Sequence, residues 1–165
     1  MESSAVSNTG PILHLNEINL KEALDIFSSV SIPREVAEEL RKNKVESSNK
    51  LKIINLKPES KNIVRILTNQ RDLDLGESCA IALALQEKTN YFLTDDLDAR
   101  SVAIEYNLEV HGTVGIILRA FRDKIINKKI AIEKVYELYE KSSLFITRDL
   151  IEEVIRAIDE FSEKR

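Results

Sequence analysis

Short apolar runs alternate with longer helical stretches along this chain, and that alternation confines it to one class of architecture. Residues 5–7, 30–32, 51–56, 91–93 and 108–110 read as strands. Between them lie helical patterns: Pro11 followed by Ile12, Leu13, Leu15 and Ile18; residues 20–27; residues 33 to about 43, striped by Val36 and Leu40; residues 58–67; the run Ala80, Ile81, Ala84, Leu85 starting from Glu77; residues 97–106; and residues 112–124, with Val114, Ile117, Leu118 and Phe121 inward. Strand–helix–strand alternation is the mark of right-handed crossover units, so the expected fold is α/β: a central parallel sheet flanked by helices on both faces. Residues 69–75 read as a polar loop ending at Gly76. Residues 130–141 and 147–163 are amphipathic helices with no strand between them. The expected organisation is an α/β domain over residues 1–126 and a helical extension over 127–165 packed on the same domain. A chain of 165 residues buries roughly 70% of its unfolded surface, which suffices for one core.

In an open α/β sheet, chemistry gathers at the carboxyl ends of the strands, where the strand order reverses. The densest polar cluster of the chain stands at such an end: after Tyr91, Phe92 and Leu93 come Thr94, Asp95, Asp96, Leu97 and Asp98. Asn8 ends the first strand, before Thr9, Gly10 and Pro11. Two further carboxylates sit on core-facing helix stripes. At 100° per residue Glu39 lies beside the Val36–Leu40 stripe while Glu38 points away, and Glu77 shares a face with Ala80 and Ile81. Singly, each has an ordinary structural reading: Asn8 as a helix cap or Asx turn, Asp95 or Asp96 as an N-cap, Asp98 and Glu77 as charges that suit a helix N-terminus by about 0.3–1 kcal/mol. Together they place unpaired carboxylates where burial is expensive, a cost that a shared hard cation relieves. Without metal, such a cluster raises the pKa of one or more of its members.

Oxygen donors without Cys or a well-placed His suit Mg²⁺ or Mn²⁺ better than zinc. Such a site binds a phosphodiester and activates water, which makes metal-assisted phosphodiester hydrolysis the chemistry these residues favour. The lone Cys79 lies in an apolar helical pattern and reads as core, and His14 and His111 read as hydrogen-bonded structural residues. A net charge of −4 excludes nucleic-acid binding by bulk attraction and leaves room for a local basic rim, with Arg100, Arg119, Arg122, Lys124 and residues 41–44 as candidates. No basic leader followed by an apolar run opens the chain, and no apolar stretch approaches the roughly 18 residues of a membrane span, so a cytoplasmic location is expected.

The pattern formed by Val6-Ser7-Asn8-Thr9-Gly10-Pro11, by Pro33 through Glu39 and Leu40, by Gly76-Glu77, and by Leu93-Thr94-Asp95-Asp96 with Ala99 and Arg100 resembles the PIN-domain family. More narrowly it is similar to a nucleic-acid-binding branch of PIN proteins common in archaea and bacteria. The resemblance spans residues 5 to 124. It implies a Rossmann-like PIN fold and a Mg²⁺- or Mn²⁺-dependent endoribonuclease, often the toxin of a toxin–antitoxin pair with a small antitoxin protein as partner, and often a homodimer. The family's acidic set carries over onto Asn8, Glu39, Glu77 and Asp96, with Asp95 and Asp98 as further candidates near the metal. Asp96 is then the primary ligand, Glu77 assists and Glu39 serves a second position; Glu39, Glu77 and Asp96 form the catalytic set. Thr9 and Thr94 match small hydroxyl positions beside the site and, with Arg100 and Arg119, are the candidate nucleic-acid contacts. The chain departs from the family at Asn8, where most active members carry aspartate: an amide oxygen coordinates but brings no charge, and cation affinity falls with ligand charge. The alternative from another class is a noncatalytic nucleic-acid-binding or protein-interaction module on a PIN scaffold. A Rossmann-like phosphatase is disfavoured, because it needs a nucleophilic aspartate where Asn8 stands.

Overall fold

A computed structural model describes residues 3–45 and 49–164. Strands β1 (Ser4–Ser7), β2 (Ser29–Ile32), β3 (Leu51–Ile53), β4 (Tyr91–Leu93) and β5 (Glu109–His111) form one sheet in the order β3-β2-β1-β4-β5, and every pairing is parallel. From β1 the chain steps outward through β2 to β3, then returns to the other side of β1 for β4. The order therefore reverses between β1 and β4, and the carboxyl ends of those two strands open the crevice where such folds bind ligands. The ladder continues past the strands there: Asn8 N–H donates to Leu93 O at 3.0 Å and Thr94 N–H to His111 O at 3.1 Å. This carries Asn8 and Thr94 into one rigid floor.

Helices α1 (Thr9–Glu17), α2 (Arg34–Lys42), α3 (Pro58–Gln70), α4 (Leu75–Gln86), α5 (Leu97–Glu105) and α6 (Thr113–Arg122) alternate with the strands, as the sequence pattern requires. The central strands are buried on both faces, Ala5, Val6, Phe92 and Leu93 fully so, which is why they read as unbroken apolar runs. Cys79 is buried beside Val64 and Ala82, and burial, with the neighbouring Glu35 carboxylate, pushes its thiol up to about 12.

Several local expectations shift. Residues 20–27 form a 3₁₀ helix, Lys21–Ile26, rather than an α-helix. The third strand stops at Ile53, because past Ile54 N–H, which still donates to Ile32 O at 3.0 Å, the backbone turns to Gln86: its Nε2 donates to Asn55 O at 3.2 Å and its Oε1 accepts from Lys57 N–H at 2.8 Å. The expected loop 69–75 is shorter at both ends, since α3 reaches Gln70 and Asp74 caps α4. Gly76 consequently lies inside the first turn of α4. On α6 the buried face is Thr113, Ile116, Ile117, Ala120 and Phe121, with Val114 and Leu118 only half buried. It is rotated because Thr113 turns inward to Asp95.

The final helices, α7 (Lys128–Lys141) and α8 (Arg148–Glu163), pack on each other and on α6, and α7 also meets α1. Ala131, Val135, Leu138, Ile151, Val154 and Ile158 join the core cluster of the sheet's own helices, and Phe121 meets Phe161 edge-on with centroids 5.7 Å apart. Lys134 Nζ donates to Ile18 O at 2.7 Å, satisfying a carbonyl at the end of α1. No helix among the described residues is long and apolar enough to cross a membrane.

Candidate active site

A cleft of about 270 Å³ opens at the switch point, lined by Asn8, Thr9, Gly10, His14, Glu39, Asp74, Glu77, Asp95, Asp96 and the 143–145 segment. Six elements converge there, among them α1 with Thr9, Gly10 and His14. β1 delivers Asn8, α2 delivers Glu39, the start of α4 delivers Asp74 and Glu77, the end of β4 delivers Asp95 and Asp96, and the α7–α8 loop closes one side.

Asn8 stands at the N-cap of α1, yet its amide turns to the neighbouring strand: Nδ2 donates to Thr94 Oγ1 at 2.7 Å. Thr94 Oγ1 also accepts Asp96 N–H at 3.1 Å. In this arrangement the hydroxyl accepts twice, and Oδ1 is the amide atom left over. It is buried with no hydrogen-bond partner and lies 3.7 Å from where a side chain on Gly10 would begin.

Asp96 caps α5, its Oδ2 accepting Ala99 N–H at 2.8 Å, which leaves Oδ1 for the cleft. Glu77 and Asp74 form a reciprocal capping box, with Glu77 N–H donating to Asp74 Oδ1 at 2.8 Å and Asp74 N–H to Glu77 Oε2 at 3.2 Å. Burial, followed by the charges of Asp74, Asp96 and Asp98, raises the Glu77 carboxyl from its ordinary 4.5 to about 7, opposed only by the Asp74 backbone hydrogen bond. This is the electrostatic stress expected of a carboxylate cluster without a cation. The sign for stability follows. The unfolded chain releases this proton near 4.5 and the folded chain near 7, so between those values the folded state binds more protons and stability falls as pH rises. In EDTA, the urea midpoint of the native protein should drop between pH 5 and pH 7.5 by more than that of Glu77→Gln, which keeps the capping box. Equal pH slopes would remove Glu77 as the source.

Glu39 accepts a hydrogen bond from Thr9 Oγ1, and its carboxyl group lies against the first turn of α4 at Gly76, where a side chain would push it aside. A methyl group there would meet the Glu39 carboxyl carbon at 3.0 Å. Glu38 is exposed, as the helical geometry requires.

Asp95 is committed differently. Its Oδ1 accepts Thr113 N–H at 2.7 Å, and its Oδ2 accepts Thr113 Oγ1 at 2.5 Å and lies 2.6 Å from His14 Nδ1. Gly112, at the N-cap of α6, offers no side-chain oxygen, and a Cβ on it would sit 2.9 Å from Asp95 Oδ1. Asp95 thus caps α6 from the adjacent strand end and ties in α1 through His14. Asp95→Ala strands those donors and should cost about 2–4 kcal/mol in urea unfolding. A loss below about 0.5 kcal/mol would contradict this bracing role.

Asp98 occupies the exposed first turn of α5, near enough to act on Glu77 by charge but outside the cleft lining. Arg100 is exposed on the same helix. Arg119 is not brought to the cleft: it lies over the Phe27 and Tyr91 rings, with centroids at 5.5 and 5.1 Å, and its Nη1 is 3.5 Å from His111 Nε2. Burial, then the Arg119 charge, holds His111 below its usual range. The sequence reading of His14 as a hydrogen-bonded structural residue agrees with its contact to Asp95, while Asp74 and Phe145 are cleft residues that reading does not name. An Asp three residues before Glu77 is a capping-box signal that was available; His14 and Phe145 reach the cleft only through tertiary packing.

Among the described residues no three His, Cys, Asp or Glu side chains form a ready-made metal cage. A hard octahedral ion needs less, since it keeps several waters and takes one or two carboxylates. The orphaned Asn8 Oδ1, with Asp96 and Glu77 on the same cleft, suits such an ion in donor type.

A parallel sheet in this order, with carboxylates and one amide oxygen collected where the order reverses, defines a Rossmann-like α/β protein with an acidic switch-point cleft. Its sequence matches the family model of the PIN domain over residues 4–160, and the chain belongs to that family. The match runs past residue 124, where the sequence resemblance ended, through α7 and most of α8. A comparison with curated proteins found no match.

Proposed function

We propose that this chain is a PIN-type endoribonuclease that hydrolyses RNA phosphodiesters with Mg²⁺ or Mn²⁺ bound at the switch-point cleft. The observation that carries the reading is the buried, unpartnered Asn8 Oδ1, locked by Thr94 in a cleft otherwise lined by carboxylates. An unsatisfied buried acceptor costs about 1–3 kcal/mol, and a hard cation satisfies it. Membership in the PIN family adds support, since PIN domains generally use divalent metals.

In this reading Asn8, Asp96 and Glu77 hold the ion, Glu39 serves a second position, and Asp95 and Asp98 contribute charge nearby. Such an ion, when bound, lowers the pKa of water and neutralises charge developing on a phosphate. The chain's own residues do the positioning: Thr94 orients Asn8 and the Asp96 backbone, Thr9 holds Glu39, and the capping box fixes Glu77. Exposed Arg100, one turn after Asp96, contacts RNA phosphate, and Thr9 lines the cleft beside it, whereas buried Thr94 acts by positioning Asn8 and Arg119 lies outside the cleft. The physiological role in keeping with this activity is a cytoplasmic toxin, acting as a homodimer and held by a small antitoxin protein.

The uncharged Asn8 favours one competing reading, a noncatalytic nucleic-acid-binding or protein-interaction module. The deciding experiment is incubation of purified protein with end-labelled RNA in Mn²⁺ and in EDTA, beside calorimetric titration with Mn²⁺. Cleavage in Mn²⁺ alone supports the nuclease. Absence of both cleavage and millimolar metal binding leaves the binding module.

A further inference from the structure

The acidic cleft carries an aromatic ring that no step above employs. Phe145 lines it while remaining 89% exposed, and with Leu97 at 77% it is one of the two most exposed large apolar side chains among the described residues. Of the two, only Phe145 lines the cleft. The loop presenting Phe145 is tied down on either side. Ser142 Oγ donates to Leu138 O at 2.5 Å and accepts Leu144 N–H at 3.2 Å, while Ser143 donates from N and Oγ to Glu17 Oε1 at 3.0 and 2.8 Å. Ile146 is buried, and Thr147 caps α8 by accepting Leu150 N–H at 3.2 Å. The segment spends its polar groups on its own support and leaves one phenyl face in water. A ring with two torsions on a braced loop loses little entropy when something covers it.

Charge narrows what that something is. Glu39, Asp74, Glu77, Asp95 and Asp96 line the cleft, its one imidazole is already joined to Asp95, and no Lys or Arg among the described residues lines it. An acidic side chain of a protein partner finds no Lys or Arg to pair with there, whereas a neutral planar group meets a flat apolar surface beside the acidic centre. A nucleobase is such a group, and every base has a face to offer. A base inside a duplex has both faces covered by its neighbours and must first be unstacked at a cost.

Resting on the nuclease reading, we infer that Phe145 is a stacking platform for an unpaired base next to the phosphate held in the cleft. The test is binding of an unstructured RNA decamer containing 2-aminopurine, in Ca²⁺, to the full chain and to Phe145→Ala, Phe145→Leu and Phe145→Trp. These variants change an exposed side chain, and their melting curves verify folding. Expected are fluorescence quenching by the native and Trp proteins, and affinity weaker by between about 5-fold and about 100-fold in the Ala and Leu variants. In Mn²⁺ cleavage the same loss appears in KM with kcat little changed, and a fully paired duplex is a poor substrate. Leu behaving like the native protein, Ala keeping full affinity, or an abasic decamer binding as well as the base-bearing one each overturns the inference. Unchanged RNA affinity with altered oligomeric state in Phe145→Ala overturns it in favour of a protein interface. The two readings fail separately: quenching that depends on Phe145 without cleavage in any metal refutes the nuclease alone, and cleavage indifferent to Phe145 refutes the platform alone.

Discussion

Asp96→Asn should abolish metal-dependent cleavage, lowering it by at least about 100-fold, while leaving the fold intact. The two halves of that expectation have separate causes. Asp96 uses Oδ2 to cap α5 through Ala99 N–H, and asparagine caps a helix as well as aspartate does, so the change in stability should stay within about 0.5 kcal/mol. What disappears is one negative charge facing the cleft. In the proposed site the cation has two carboxylates beside one neutral amide, and supporting groups alone can be worth 10- to 100-fold in metal affinity or activity, so a ligand's charge should count for at least as much. A second signature follows from electrostatics. Asp96 is among the charges that raise the Glu77 pKa, so in Asp96→Asn the Glu77 carboxyl should titrate closer to its ordinary range and the stability loss between pH 5 and pH 7.5 in EDTA should shrink. The checks are initial cleavage rates in Mn²⁺ and urea midpoints across that range. Native-like cleavage by Asp96→Asn would show that the chemistry lies elsewhere.

Where the sequence was informative, the signal was local and periodic. The central strands are buried on both faces and so read as short apolar runs, and a run such as Tyr91-Phe92-Leu93 followed by Thr-Asp-Asp announces both a strand and its end. Helical geometry separated Glu39 from Glu38, because one turn between Val36 and Leu40 sets which flank faces inward. The strain on Glu77 was foreseeable from clustered carboxylates. What the sequence hid was long-range. Gly76 read as a loop breaker, but its reason is the Glu39 carboxyl group arriving from α2, thirty-seven positions earlier. Asp95 and Asp96 read equally well as the helix N-cap, with Asp95 a further metal candidate, and only the return of β5 into α6 shows that Thr113 and His14 already occupy the Asp95 oxygens. Arg119 reads as a rim residue, but it lies over the Phe27 and Tyr91 rings and does not line the cleft. Phe145 had no periodicity to mark it, since it enters the cleft only when α7 and α8 close over α1 and α6.

Asn8→Asp should tighten Mn²⁺ binding by at least about tenfold and raise cleavage with it, because the position is built to receive a carboxylate. Thr94 Oγ1 now accepts from both Asn8 Nδ2 and Asp96 N–H. With aspartate at position 8 the first donor is lost, but the threonine hydroxyl can rotate and donate to the new carboxylate while still accepting Asp96 N–H, so the pair survives with its polarity reversed and gains charge assistance. The oxygen on the cleft side then carries charge. Two unit charges 4 Å apart at an effective dielectric near 20 interact by about 4 kcal/mol, far more than tenfold binding requires. Part of that gain is offset by repulsion from Glu77 and Asp96, and the offset gives the test its discrimination. In EDTA a further negative charge in a cleft of five carboxylates makes the folded state less stable than the native protein. In saturating Mn²⁺ the order inverts, because a ligand that binds only the folded state stabilises it in proportion to its affinity. Thermal melts of the two proteins should therefore cross on adding metal, and calorimetry should report the tighter site directly. Identical Mn²⁺ affinities would place the ion away from Asn8 and withdraw its unpartnered oxygen as the basis of the nuclease reading.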